Sequence, residues 1–269
     1  MDDDALSFEV LEDPEMIEIG QRLIVQGGEL LDDTDLSPGE RKKVEKIFSD
    51  CWESLREIKG LRDAFLKMTQ RYRNSLPSVQ KKGVGPKEVF GAFVSYSMKI
   101  LDQLMTILGP LTQGKIPWKS YLKHRENILK SLDHLEGISQ TRSQALAQVI
   151  QEGESTWIET LAELYEKIQV NGNLDEVLFS KNGPLLQKGF PGMQFVLKDG
   201  KPVDEMVLRN WKSIVDFCED FIAHAIQLRF LEIVEGLEVI PRHKQDAVYP
   251  RRFKVILKKA SLESDETEA

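Results

Sequence analysis

Four histidines, two cysteines and a dense population of carboxylates are the side chains of this 269-residue chain best suited to chemistry. His124, His134, His224 and His243 form no HxxxH pair and no ExxH pair, so local spacing assembles neither a zinc-protease helix nor a di-iron bundle. Asp220 and His224 come nearest, four residues apart, and one such pair is not a metal site. His224 lies on an apolar helical stretch, where a hydrogen-bonded core histidine is expected rather than a base or ligand. Glu159, Glu163 and Glu166 share one helix face, and carboxylates so placed are ordinarily solvated. Cys51 and Cys218 stand far apart on helical segments, which predicts buried free thiols and excludes a disulfide framework or a cysteine zinc site.

Nucleophile and phosphate motifs are missing: there is no GxSxG, no Walker loop and no GxGxxG. "KKGVGPKE" sets lysines and glycines before a helix start, a place where an anion could rest, but a connector is the expected reading. No cofactor is implied. The chemistry that does accumulate is charge. Residues 1–40 carry a net −12, residues 41–82 a net +7, residues 239–260 a net +6 and residues 261–269 a net −4, within a chain of net −8. The basic residues of 41–82 are expected on an outer helix face, balanced by the acidic arm. The stretch "RHKQDAVYPRRFKVILKK" is the sharper signal, and its Arg242, Lys244, Arg251, Arg252, Lys254, Lys258 and Lys259 are the candidate partner-binding residues. A strand alternating Arg252, Lys254 and Lys258 with Phe253, Val255, Ile256 and Leu257 would bury one face and offer cations on the other. Lysines and prolines on a short edge also discourage edge-to-edge pairing, so edge protection competes with binding as the explanation.

The elements that must position these residues are mostly helices. Asp13 before Pro14 reads as a cap with proline at the first helical position, and Gly27-Gly28 reads as the end of that helix. Ser37, Pro38 and Glu40 form a capping box opening a long helix whose apolar stripe runs from Val44 to Leu76. Residues 87–108 are apolar on nearly every side, which demands a surrounded helix; Lys99 and Asp102 in its middle argue against a membrane span. Gly109-Pro110 is expected to end it. Residues 118–170, opened by Pro117, form one very long helix or two joined near Gly137 or Gly153, with a stop at Asn171. Residues 179–202 read as an irregular connector with room for a hairpin at Asp199-Gly200. A strong helix is expected over 203–236, followed by two β-rich runs that pair antiparallel around the basic loop.

The predicted fold is therefore mainly α: an antiparallel bundle of long helices with a small C-terminal antiparallel β element. Its expected parts are an acidic arm with a short helix (1–36), the bundle (37–178), the connector (179–202), a long helix with a basic hairpin (203–260) and a disordered acidic tail (261–269). The opening "MDDDALSFEV" has neither a basic nor an apolar leader region, so a cytoplasmic location is expected. The expected function is a non-enzymatic helical adaptor, with regulatory consequence, that docks a protein partner through its termini and basic C-terminal segment. The alternatives are a nucleic-acid or anionic-surface binder using 41–82 and 242–259, and an enzyme or ligand carrier with a pocket near His224, Glu163 or Lys99.

Overall fold

The structure, a computed structural model, describes residues 13–74, 85–117, 119–171, 178–182, 193–197, 200–246 and 249–258. Six helices and two small sheets make up the described chain. Helix α1 runs through Pro14–Gly20, a π-helical turn at Gln21–Gln26, and Gly27–Asp32; α2 is Pro38–Asn74, α3 Pro86–Leu111 and α4 Tyr121–Asp133. Helix α5 runs through Gln140–Gly153, a second π turn at Glu154–Ile158, and Glu159–Asn171. Strands β1 (Leu178–Asn182) and β2 (Met193–Leu197) precede α6 (Val203–Gln227), and β3 (Val234–Val239) and β4 (Phe253–Leu257) follow it. No described helix is long and apolar enough to cross a membrane.

Helix starts follow the sequence signals. The Asp13 carboxylate accepts from the N–H groups of Glu15 (2.9 Å) and Met16 (3.4 Å) with Pro14 at the first position. Ser37 and Glu40 bond reciprocally, 3.0 Å from the Ser37 N–H to Glu40 Oε2 and 3.4 Å from the Glu40 N–H to Ser37 Oγ. The start of α4 has a cap from another helix: Asp102 of α3 accepts from the Tyr121 N–H at 2.7 Å. That bond explains a carboxylate in the middle of an apolar helix, and no linear motif announces it.

Packing is antiparallel. Phe65 meets Phe90 at 5.9 Å while Ser54 donates to Gln103 at 2.7 Å, so α2 and α3 run in opposite directions. Trp157 meets Phe217 edge-on at 5.6 Å and Arg142 reaches the Phe230 carbonyl at 2.6 Å, so α5 and α6 do the same. Helix α6 touches α1, α2, α3 and α5, and its Val207, Ile214, Cys218, Phe221 and Ile226 are wholly buried. Helix α1, expected in an acidic arm, contributes Met16, Ile19, Leu23, Leu30 and Leu31 to the same core.

Several expected boundaries move, each for a physical reason. Gly27 and Gly28 do not end α1. A Cβ on Gly27 would lie 2.9 Å from the Phe48 ring, so this glycine lets α1 approach α2. Gly153 likewise lies inside α5, where a Cβ would fall 2.5 Å from the Phe217 ring. The break in 118–170 comes at Gly137, with φ +73°. Helix α3 runs past Gly109-Pro110 to Leu111 and turns at Gln113 and Gly114, both with positive φ. Helix α6 ends at Gln227, so Phe230 is buried in the following turn and Ile233 is exposed. Gly236, the last residue of the helix expected over 203–236, sits in β3 beside a bulge. The return at Gly200 is present, with φ +83° and its N–H on the Leu197 carbonyl at 2.8 Å. The ladder partner of β2, however, is β1, in register from Leu178 opposite Leu197 to Asn182 opposite Met193.

Candidate docking site at the C-terminal hairpin

Strands β3 and β4 pair antiparallel, Val239 opposite Phe253 and Glu238 opposite Lys254, as the alternation predicts. Phe253 is buried, while Lys254 faces solvent. Beneath the hairpin, α6 presents Asp216, Glu219 and Asp220, spaced to lie on one face.

Arg252 joins the two. Its guanidinium takes Asp220 bidentately (Nε to Oδ1 2.9 Å, Nη2 to Oδ2 2.7 Å), and Nη1 reaches Asp216 at 2.8 Å and Glu219 at 3.3 Å. From the other side Arg22 Nε donates to Glu219 at 2.7 Å, and Arg22 also pairs with Glu18. Glu219 and Arg22 are almost wholly enclosed, their side chains 1% and 5% exposed. Arg22 belongs to the π turn of α1, as does Gln26, whose amide donates to the Phe253 carbonyl at 2.7 Å and accepts from the Arg252 N–H at 2.9 Å. Gln26 thus bonds the outer edge of β4 as a neighbouring strand would. Burial raises the Glu219 carboxyl despite Arg22 and Arg252. Burial also pushes Asp220 up to about 6, Asp216 adding to the rise and Arg252 opposing it.

The expected row of outward cations is therefore divided. Arg252 is turned onto α6 as a structural ligand of three carboxylates, a correction to its place in that row. Arg251 pairs with Glu29 at 2.7 Å on the surface, and Arg242 approaches Asp216 only to 3.8 Å. Lys244, Lys254 and Lys258 are exposed and make no ion pair among the described residues, although Glu238 stands opposite Lys254 in register. Lys259 lies outside the described residues. Around these cations Ile233, Val239, Tyr249 and Leu257 are each more than half exposed.

The other candidates resolve differently. His224 Nδ1 lies 3.0 Å from Gln227 Oε1 with its ring nearly perpendicular to that of Phe253, and burial lowers its pKa, as expected of a core histidine. Both cysteines are buried and free; burial pushes Cys51 up to about 12 and Cys218 well above its usual value, which leaves them poor nucleophiles. Glu159, Glu163 and Glu166 are exposed. The first half of "KKGVGPKE" lies outside the described residues, and at its end Glu88 already accepts the Gly85 N–H at 2.9 Å. Within the basic stretch 41–82, Arg41, Arg56, Lys59 and Arg62 all pair with carboxylates, among them Asp13 and Glu15 of the acidic segment. No group of three or more potential metal ligands occurs among the described residues.

Two hollows lie beside the hairpin. One of about 470 Å³ is bordered by Pro14, Ile17, Gln21, Gln245 and Pro250. The other, of about 250 Å³, is bordered by Glu15, Arg22, Trp211, Lys212 and Asp216. A third, of about 580 Å³, lies at the end of α6, where Arg142 donates to the carbonyls of Phe230, Leu231 and Val234. Sequence reasoning missed Arg22, Gln26 and the Asp216–Glu219–Asp220 face. The one available signal was Arg22 itself, the lone cation of the first forty residues, set in an apolar helix. Comparison with protein-family models, curated proteins and solved structures gave no match.

Proposed function

We propose that this chain is a non-enzymatic interaction module that docks a protein partner on its C-terminal hairpin and the loop within it. The observation that carries the reading is the division among the hairpin cations: Arg252 secures the fold, whereas Lys244, Lys254 and Lys258 extend into solvent without an ion pair among the described residues. Exposed Ile233, Val239, Tyr249 and Leu257 stand beside them, so apolar area and charge are offered together. The protein-partner reading rests on these exposed apolar side chains beside the hairpin lysines. On α2, Arg41, Arg56, Lys59 and Arg62 are paired, while Lys42, Lys43, Lys46, Lys67 and Arg71 are exposed with no ion pair among the described residues, so a phosphate-binding surface there is the competing reading.

The test replaces Lys244, Lys254 and Lys258 with serine. The unfolding midpoint should move by no more than about a degree or two. Proteins retained from a source-cell extract by the wild type and identified by mass spectrometry should be lost by the variant. A fall of many degrees would make the lysines structural, and salt-sensitive binding of a short DNA duplex would redirect the reading to phosphates.

A further inference from the structure

The hairpin has two outer edges, and the fold treats them differently. On β4, Gln26 donates to the Phe253 carbonyl and accepts from the Arg252 N–H, so α1 closes that edge. On β3, the Ile240 N–H bonds the Arg252 carbonyl at 2.7 Å, with Val239 opposite Phe253 and Glu238 opposite Lys254. Bonds in an antiparallel ladder alternate along the strand, so Glu238 turns its backbone groups toward β4 while Leu237 and Val239 turn theirs away. Among the described residues nothing bonds the N–H and C=O of Leu237 or Val239 on that outer side. The opening has defined ends: Arg142 holds the Val234 carbonyl at 2.6 Å, and Gln245 holds the Ile240 carbonyl at 2.9 Å. Strand β3 carries neither lysine nor proline, the residues that commonly blunt an exposed edge. Its Glu238 and Val239 are exposed and its Leu237 is half-buried. Gln245 and Pro250 of the following loop border a hollow with Pro14 and Ile17 of α1, the element that closes the other edge.

We propose that the outer edge of β3, from Leu237 to Val239, receives an extended segment of a protein partner as a third strand of the sheet. Free backbone donors and acceptors in a row select an extended chain rather than a helix or a small ligand. The register selects its side chains. Apolar residues of the partner fall beside Leu237 and Val239, which continues the rows that begin at Val255 and Phe253. A lysine or arginine between them falls beside Glu238, which makes no ion pair among the described residues, so charges alternate across the sheet from Lys254 through Glu238 to the partner. Glu235 lies past the bulge and shares its hollow with the unpaired Lys258, so Glu238 is the charge that the open stretch presents. A second copy fits less well, because pairing two such stretches about their centre sets Glu238 against Glu238. This inference rests on the interaction reading and adds the mode of docking and the chemistry of the partner.

The probe is a labelled peptide repeating Val-Lys-Val-Arg, compared with one carrying aspartate at the basic positions and one N-methylated at its valines. Binding is read on the full chain by fluorescence anisotropy and by amide hydrogen exchange. In the free chain the Leu237 and Val239 amides should exchange freely while the Glu238 amide is protected. The basic peptide should bind saturably and slow those two amides, and the two control peptides should not bind. Val239→Pro removes an outward N–H and no ladder bond, and should weaken binding about tenfold with Glu238 still protected. Glu238→Lys should do the same, and it decides alone if the proline variant unfolds the hairpin. Slow exchange of both outward amides in the free chain would mean that the edge is already covered, by a second copy if the protection grows with concentration, and would end the proposal. Undiminished binding by Glu238→Lys, or equal binding of the aspartate peptide, would also overturn it. No peptide binding, with extract proteins still retained by the wild type and lost by the hairpin-lysine variant, would overturn the edge and leave the interaction reading standing.

Discussion

Arg252 and Arg251 are neighbours in sequence with opposite duties. Arg252 faces three carboxylates, one of them the almost wholly enclosed Glu219, and its removal would leave buried negative charge with a single remaining arginine, Arg22. Arg251 holds only Glu29 at the surface. Arg252→Met is expected to cost about 3 kcal/mol by urea titration, in line with breaking a buried pair, whereas Arg251→Ser should cost less than about 1 kcal/mol. Equal losses would refute this division. In the sequence the two arginines are indistinguishable, because what separates them is the acidic face of α6 lying beneath one and not the other.

At the scale of elements, glycine is the residue whose meaning the sequence left open. Gly27, Gly28 and Gly153 look like helix stops, yet all three lie inside helices that continue. Each π turn also begins just after a glycine crowded by an aromatic, Gly20 against Trp52 and Gly153 against Phe217. The extra residue in such a turn changes which side chains face inward, and the turn in α1 carries Arg22, which meets Glu219 of α6, and Gln26, which meets the hairpin. Gly153→Ala should therefore lose about 1–3 kcal/mol through overpacking on Phe217. Gly28→Ala, where a Cβ would meet nothing within 4 Å, should gain up to about 1 kcal/mol from helix propensity. If both behave alike in thermal denaturation, close approach is not what Gly153 provides. Caps and apolar stripes were legible because they are local; glycine depends on what lies opposite.

For the whole molecule, the enclosed carboxylates set an unusual pH profile. Burial raises Glu219, and it raises Asp220 from 3.8 to about 6, so the folded chain binds protons more readily than the unfolded chain between those values. Stability from this cluster therefore rises as the pH falls from 7 through about 6 and toward 4. Asp13, Glu15 and Glu40 oppose this at lower pH. Burial works against Asp13 and Glu15, but Lys59 and Arg62 respectively hold them below their usual range, and Ser37 does so for Glu40. Their contribution is present above about pH 4.5 and is lost below it. The unfolding midpoint should peak in mild acid, and Asp220→Asn should flatten its rise below pH 7; a wild-type profile that climbs steadily from pH 5 to pH 7 would contradict the assignment. The sequence by itself determined the helical class, most helix starts, the paired C-terminal strands and the core character of His224, Cys51 and Cys218, since caps, periodicity and apolar spacing act between near neighbours. Only the tertiary structure decided that α1 belongs to the core, that β1 partners β2, that Asp102 caps α4, and which hairpin cations are held inside. Those outcomes depend on groups brought together from distant parts of the chain, whose mutual distance no local pattern encodes.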